Sequence, residues 1–242
     1  MGSNKVTIGN VSIIGLSDGT LRSVATDTFP DSPEHVWLCG CSTPTSAPML
    51  DTNLGCFLVR SSGRTIMIDT GVGPLPPDDS GGVWGLMMED FEAQGLDVNE
   101  VDTVFMTHLH YDHTGWNFKK ENGKYVPTFP KARYVTNSVD WNFFRNQPDA
   151  KEKYFYRPKA VEPLEELGVL DLIDGEHNLT EELTAMPTPG HTPGHMSVLV
   201  SSQGEKGLIL GTWPTIRFRC TRRAGGAGPT WTPTWPEKQE RS

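Results

Sequence analysis

The chain has 242 residues, enough for one large domain or two small ones with a substantial buried core. Hydrophobic residues make up 36% and charged residues 21%, with 25 glycines and 19 prolines, a turn-rich globular composition that excludes fibrous and disordered classes. The net charge of −9 argues against a surface that grips nucleic-acid backbones, and no apolar run is long enough to span a bilayer.

The opening Met1-Gly2-Ser3-Asn4-Lys5 lacks the basic-then-apolar pattern of a secretory signal, so a cytoplasmic protein is expected. Val6 to Ile14 alternates loosely and reads as a first strand. Asp31–Leu54, rich in Ser, Thr and Pro, reads as a long loop of the kind that forms lids or substrate walls. Within it Cys39-Gly40-Cys41 is a C-x-C without a second pair. With Cys56 and Cys220 it reads as free thiols in a reducing compartment. Cys56–Arg60 and Thr65–Asp69 are apolar runs split by Ser61-Ser62-Gly63, the spacing of a β-hairpin. Val83–Gly95 places Trp84, Met87, Met88 and Phe91 at helical intervals and stops on glycine.

Val104-Phe105-Met106 predicts a buried strand that runs straight into a polar cluster. Further strands are expected at Ala132–Thr136, Val169–Ile173, Met196–Val200 and Leu208–Leu210, with helices at Ser138–Arg145 and over much of Ala150–Gly168. Hairpins mixed with helices exclude a purely alternating βαβ pattern, and no solenoid repeat is present. Two packed sheets with helices outside fit better.

The polar cluster is His108-Leu109-His110-Tyr111-Asp112-His113. Three of the seven histidines and a carboxylate fall within six residues. Each buried imidazole needs a hydrogen-bond partner, so such density is hard to explain as packing. Imidazole nitrogen and carboxylate oxygen are the ligands zinc takes in catalytic sites. In an extended segment His108 and His110 point the same way and can share one ion. After a turn, Asp112 and His113 can face a second. Thr188-Pro189-Gly190-His191-Thr192-Pro193-Gly194-His195 fixes a histidine at the tip of each of two Pro-Gly turns, a rigid backbone suited to setting a ligand's angle.

With these residues in place the chain resembles the metallo-β-lactamase superfamily. His108 to His113 match its H-x-H-x-D-H motif, Gly190-His191 its G-H motif, and Asp69-Thr70-Gly71 its D-T-G turn. The resemblance implies an α/β fold, an αββα sandwich of two mixed β-sheets flanked by helices, with the metals at one edge. It assigns His108, His110 and His191 to a first Zn2+, Asp112 and His113 to a second, and His195 to support of the turn. It implies hydrolysis in which zinc activates water and polarises an ester-like carbonyl, with Asp112 as both metal ligand and catalytic residue orienting the nucleophile. A histidine at position 110, where diiron oxidoreductases of the superfamily carry glutamate, favours hydrolysis over redox chemistry.

The resemblance ends at Gly211. The superfamily expects a metal-bridging aspartate at position 212, where this chain has threonine. Residues 1–211 read as the metal-binding domain and 212–242 as an atypical tail with no visible period, six basic residues, two acidic ones and no histidine. A one-base shift of the coding frame would account for the change, with a genuinely divergent tail as the alternative. Restoring a G before codon 212 converts any threonine codon to aspartate and forces alanine two codons later. Without the bridging carboxylate, weak second-site occupancy, low activity, an open sheet edge and exposed apolar surface are expected.

The fold does not set the substrate. The run His113-Thr114-Gly115-Trp116-Asn117 resembles the lactonase and organophosphate-hydrolase branch of the superfamily more than the glyoxalase branch, and those aromatics between the two clusters that line a pocket rather than the core suit acyl or aryl substrates. An N-acyl homoserine lactonase is the leading reading. A glyoxalase II-type thioesterase, a β-lactamase, an organophosphate hydrolase and an impaired metal-binding remnant stay open. Nucleic acid and membrane are not expected as partners, and a second copy of the chain is compatible with the sequence.

Overall fold

The computed structural model describes residues 4–24, 49–74, 82–147, 156–212, 218–221 and 230–233. The first sheet is built from β1 (Lys5–Ile8), β2 (Val11–Val24), β3 (Met49–Ser61), β4 (Arg64–Ile68), β5 (Gly82–Trp84), β6 (Thr103–Phe105), β9 (Arg133–Asn137) and β10 (Leu170–Ile173). Its order is β1-β2-β3-β4-β6-β9-β10, with β5 paired to β2. The β1–β4 meander is antiparallel, whereas β4, β6, β9 and β10 run parallel. A small separate ribbon comprises β7 (Phe118–Glu121) and β8 (Lys124–Pro127). The second sheet is the antiparallel run β11 (His177–Asn178), β12 (Leu183–Pro187), β13 (Met196–Ser202) and β14 (Glu205–Ile209).

Alternation along the strands sorts the core into two layers, because successive side chains in a strand point to opposite faces. Ile13, Val59, Ile66, Ile68 and Phe105 of the first sheet meet Leu183, Ala185, Met196, Val198 and Ile209 of the second. Their neighbours Ile14, Leu58, Met67 and Val104 face the other way, onto the helices. Those helices are α1 (Met87–Ala93), α2 (Tyr111–Thr114), α3 (Ser138–Asn146), α4 (Pro158–Val161) and α5 (Pro163–Glu166). Met87, Phe91, Trp141, Phe144, Val161 and Leu164 all join this outer core. Three of the four expected layers are thus present. Among the described residues no helix covers the outer face of the second sheet, where Leu208 of the edge strand β14 is 48% exposed.

The structure corrects several boundaries. The opening strand is two, β1 and β2, folded about Gly9-Asn10. The expected loop Asp31–Leu54 ends early, because β3 begins at Met49 and pairs with β2 as far as Val24. Residues 31–48, with Cys39 and Cys41, lie outside the described residues, while Cys56 is a buried free thiol. The helical stretch Ala150–Gly168 resolves into the short α4 and α5, each opened by a proline, with 150–155 outside the described residues. The tail, which shows no period, contains an antiparallel pair, β15 (Phe218–Thr221) and β16 (Thr230–Pro233). No described helix is long and apolar enough to cross a membrane.

Candidate metal centre

Strand β6 ends at Phe105, and the next residues carry the first cluster out of the core onto the edge between the sheets. Thr107 and His108 are completely buried. His110 caps α2 and forms an isolated bridge with Tyr156. The second cluster is the connection between β12 and β13. It is fixed to the first by the Met196 N–H, which donates to the Thr107 carbonyl at 2.9 Å.

The structure brings His108, His110 and His191 together, with one ligand atom from each lying within 4.8 Å of the others. His110 Nδ1 and His191 Nε2 are 2.9 Å apart, a separation that needs a shared proton or a shared cation between two lone pairs. His108 Nε2 is buried without a hydrogen-bond partner. Its tautomer follows from its neighbours. Thr107 Oγ1 donates to Asp69 Oδ2 at 2.8 Å, so its oxygen accepts from His108 Nδ1 at 3.1 Å. The proton therefore sits on Nδ1 and the Nε2 lone pair is free, the arrangement seen when an outer partner orients a ligating histidine. Burial, reinforced by the neighbouring imidazoles, lowers the pKa of His108 well below its usual value. Burial takes His110 down to about 3 and also lowers His191. All three are neutral at neutral pH, as metal coordination requires. The orphaned nitrogen and the neutral donor set fit a metal ion.

Asp112 and His113 lie on the single turn of α2, beside this triad. The His108 and His113 ring centroids are 3.9 Å apart. His113 Nδ1 bonds Asp69 Oδ2 at 2.8 Å, and its Nε2 faces Asp112 Oδ2 at 3.4 Å. Burial works against charge on both groups. The two carboxylates nonetheless outweigh it at His113 and push its pKa up to about 10, while His113 holds the Asp112 carboxyl below the usual range. A cation placed here would take over the role of that proton. These two residues offer half of a second site. Gly211 packs so closely on Thr107 that a Cβ on it would overlap the threonine side chain. Position 212, occupied by threonine, therefore directly follows a residue pressed against the centre.

Sequence reasoning singled out the D-T-G turn but not what it does. Asp69 adopts φ +58°, a left-handed conformation that aspartate tolerates. From there its carboxylate accepts from the Thr107 N–H and hydroxyl and holds His113. Asp18 was missed entirely. Buried on β2, it accepts from the Val72, Gly73 and Met87 N–H groups and from Trp116 Nε1, fastening the turn to α1 and to the segment after α2. Asp140 on α3 was also missed. An acidic residue in a surface-type helix gives no signal of its role, since its partners lie 52 and 54 residues away.

His195 is buried beside the triad, its ring centroid 5.0 Å from that of His108. Its Nδ1 donates to the Thr188 carbonyl at 3.1 Å, as a turn-stabilising residue would, while its Nε2, like that of His108, is buried without a hydrogen-bond partner. Of the aromatics between the clusters, Phe118, Phe129, Tyr134, Trp141, Phe144 and Tyr156 are core residues. Phe144 stacks on Tyr156 and abuts the His110 ring, so this group backs the site rather than lining an open pocket. Tyr154 and Phe155 lie outside the described residues.

The profile of the Metallo-beta-lactamase superfamily matches residues 55–212, ending at the residue where the sequence departs from expectation. An N-acyl homoserine lactonase of Bacillus sp is 22% identical over 187 residues, covering 70% of this chain and 66% of the relative. The N-acyl homoserine lactonase AttM of Rhizobium radiobacter is 26% identical over 171 residues, covering 64% and 62%. The chain thus spans just under two thirds of the length of these relatives. The solved structure of AidC, a dizinc quorum-quenching lactonase, superimposes with a TM-score of 0.70 at 22% identity, over 86% of this chain and 73% of that one. With a matching profile over most of the described core and the histidine cluster at the edge between two sheets, the chain belongs to the metallo-beta-lactamase superfamily.

Proposed function

We propose that residues 1–211 form the metal-binding body of a zinc-dependent hydrolase that opens lactones or cleaves ester-like bonds of small molecules. The observation that carries the reading is the convergence of His108 Nε2, His110 Nδ1 and His191 Nε2, with the first of these buried and unpartnered. His108, His110 and His191 would hold a first ion, and Asp112 with His113 would contribute to a second. When bound, zinc supplies Lewis acidity, which makes water nucleophilic near neutral pH and polarises a carbonyl. The chain's own groups do the rest. Thr107 keeps the Nε2 lone pair of His108 free, Asp69 fixes the His113 ring through its Nδ1, and the ionised Asp112 carboxylate would bind metal and orient the attacking water. The names of the relatives favour a lactone as substrate. The test is a panel of N-acyl homoserine lactones, other lactones and aryl esters, assayed with and without added zinc. Zinc-dependent lactone opening is expected, whereas lactones inert beside cleaved aryl esters would shift the reading to an esterase.

A second reading, an impaired member of the superfamily, draws on Thr212. Two ligands from one helical turn leave the second ion short of partners. Fewer than two zinc ions per chain, with weak turnover, is the outcome this reading expects.

A further inference from the structure

Two separate stretches of chain present the triad, and a buried carboxylate on α3 bonds to the second of them. Asp140, on the first turn of α3, is fully buried. Its Oδ2 accepts from the Thr192 hydroxyl at 2.7 Å and its Oδ1 from the Gly194 N–H at 2.6 Å. The same helix reaches the first stretch through Phe144, whose ring centroid lies 5.7 Å from that of His110, and the Leu109 N–H between His108 and His110 helps to lower the Asp140 pKa against burial. The contact with the second stretch depends on Gly194 lacking a side chain, because a Cβ there would overlap the Asp140 backbone. The helix is held at this position by Asn137, whose side chain accepts from the Val139 N–H at 2.7 Å.

We propose that Asp140 is a positioning residue that sets the separation between His191 and the His108–His110 pair, and so tunes the first metal site without touching the metal. His191 sits exposed at the tip of its turn. C-terminal to it, the turn is tied to the first stretch by the bond from Met196 to Thr107. Asp140 supplies the tie nearer His191, bonding Thr192 and Gly194 beside that ligand rather than the ligand itself, from the helix whose Phe144 abuts the His110 ring. Ligands presented by independent segments bind an ion well only when their spacing is fixed beforehand, and outer partners of this kind change metal affinity by about 10–100-fold.

This inference rests on the metal-binding reading above, and one titration separates the two. The full chain, stripped of metal, is titrated with Co2+ as wild type and as the variants Asp140→Ala, Asp140→Asn and Thr192→Val. Affinity, the visible absorption of the bound cobalt and the melting temperature of the metal-free protein are read together. Asp140→Ala is expected to bind cobalt at least about tenfold more weakly, with a shifted absorption spectrum. Asp140→Asn keeps the shape and an acceptor oxygen, and its amide can donate to the Thr192 hydroxyl, so it should restore most of both. Thr192→Val, which removes one bond only, should fall between Asp140→Ala and wild type, and it decides the matter if Asp140→Ala does not fold. Wild-type affinity and spectrum in Asp140→Ala, or in Thr192→Val where the first is unfolded, would overturn the proposal even if the melting temperature drops. Weaker binding with an unaltered spectrum would overturn it too, because it marks general loosening. No cobalt binding by the wild type would sink the metal reading itself.

Discussion

Around the His108 ring the centre has two sides that are put together differently. On one side, His108, His110 and His191 converge from two segments, with the His108 lone pair freed by Thr107, the His191 turn held by Asp140 and the two segments tied by the bond from Met196 to Thr107. On the other, Asp112 and His113 come from a single helical turn and neutralise each other, with threonine at position 212. The first side has its geometry imposed from outside, by groups that bond its neighbours. The second owes its arrangement to Asp69 and to a mutual ion pair. A preorganised donor set loses little freedom when an ion arrives, whereas a satisfied ion pair must first be broken.

The largest expected effect tests that asymmetry directly. His191→Ala should abolish tight binding of the first ion and cut zinc-dependent turnover on the order of a thousandfold, about 4 kcal/mol of barrier. His113→Ala should leave the first ion bound and reduce turnover less. Metal content after dialysis, measured beside activity, checks both. Equal loss of metal in the two variants would mean that the sides form one cooperative site.

The ligand candidates and the shell behind them differed in how far they could be read from the sequence. His108, His110, Asp112, His113 and His191 were legible because ligand-type side chains at that density have few structural explanations. The two-sheet core was legible from short apolar runs at hairpin spacing, such as Cys56–Arg60 and Thr65–Asp69, mixed with helices. The supporting shell was not. Asp18, Thr107 and Asp140 act through partners that the fold alone brings near, up to 98 residues apart for Asp18 and Trp116. A lone aspartate in a strand or a helix has no local pattern that separates it from a solvated one. The strands β7, β8, β11 and β12 were missed for a related reason, since the two-residue β11 and the charged β7 carry too little alternation to register.

Next in size is the effect of repairing the second side. Thr212→Asp places a carboxylate directly after Gly211, whose backbone packs against Thr107. Zinc content should rise toward two ions per chain, and turnover by about tenfold or more, as expected when a missing charged ligand is supplied to a metal site. Unchanged metal content would show that the chain after Gly211 runs away from the centre, and the impaired reading would then owe nothing to Thr212. Reading the gene around codon 212 addresses the frame shift separately.

A smaller change should loosen the first side without removing any ligand. Thr107→Val deletes the hydroxyl that links Asp69 to His108 Nδ1, so the His108 proton is free to move to Nε2. First-site affinity should weaken by about tenfold, with a correspondingly steeper dependence on zinc concentration. Activity at saturating zinc should be nearly preserved, since every ligand remains. A loss that saturating zinc cannot rescue would place Thr107 in the reaction rather than behind His108.

The smallest effect separates the charge of Asp140 from its geometry. Burial raises its pKa from 3.8 to about 6, against the hydrogen bonds it accepts. The folded protein therefore holds this proton more tightly than the unfolded chain. The stabilisation from that proton is complete below about pH 3.8 and is lost as the pH rises through about 6. Asp140→Asn carries no such proton. The stability of wild type relative to Asp140→Asn should fall by roughly 2 kcal/mol between pH 4 and pH 6.5 and stay nearly level above it, as measured by urea unfolding of the metal-free proteins. If the difference rises with pH instead, the accepted hydrogen bonds outweigh burial and the carboxylate is stabilised in its charged form. The tie between the two ligand segments would then depend on that charge, and asparagine could not replace it.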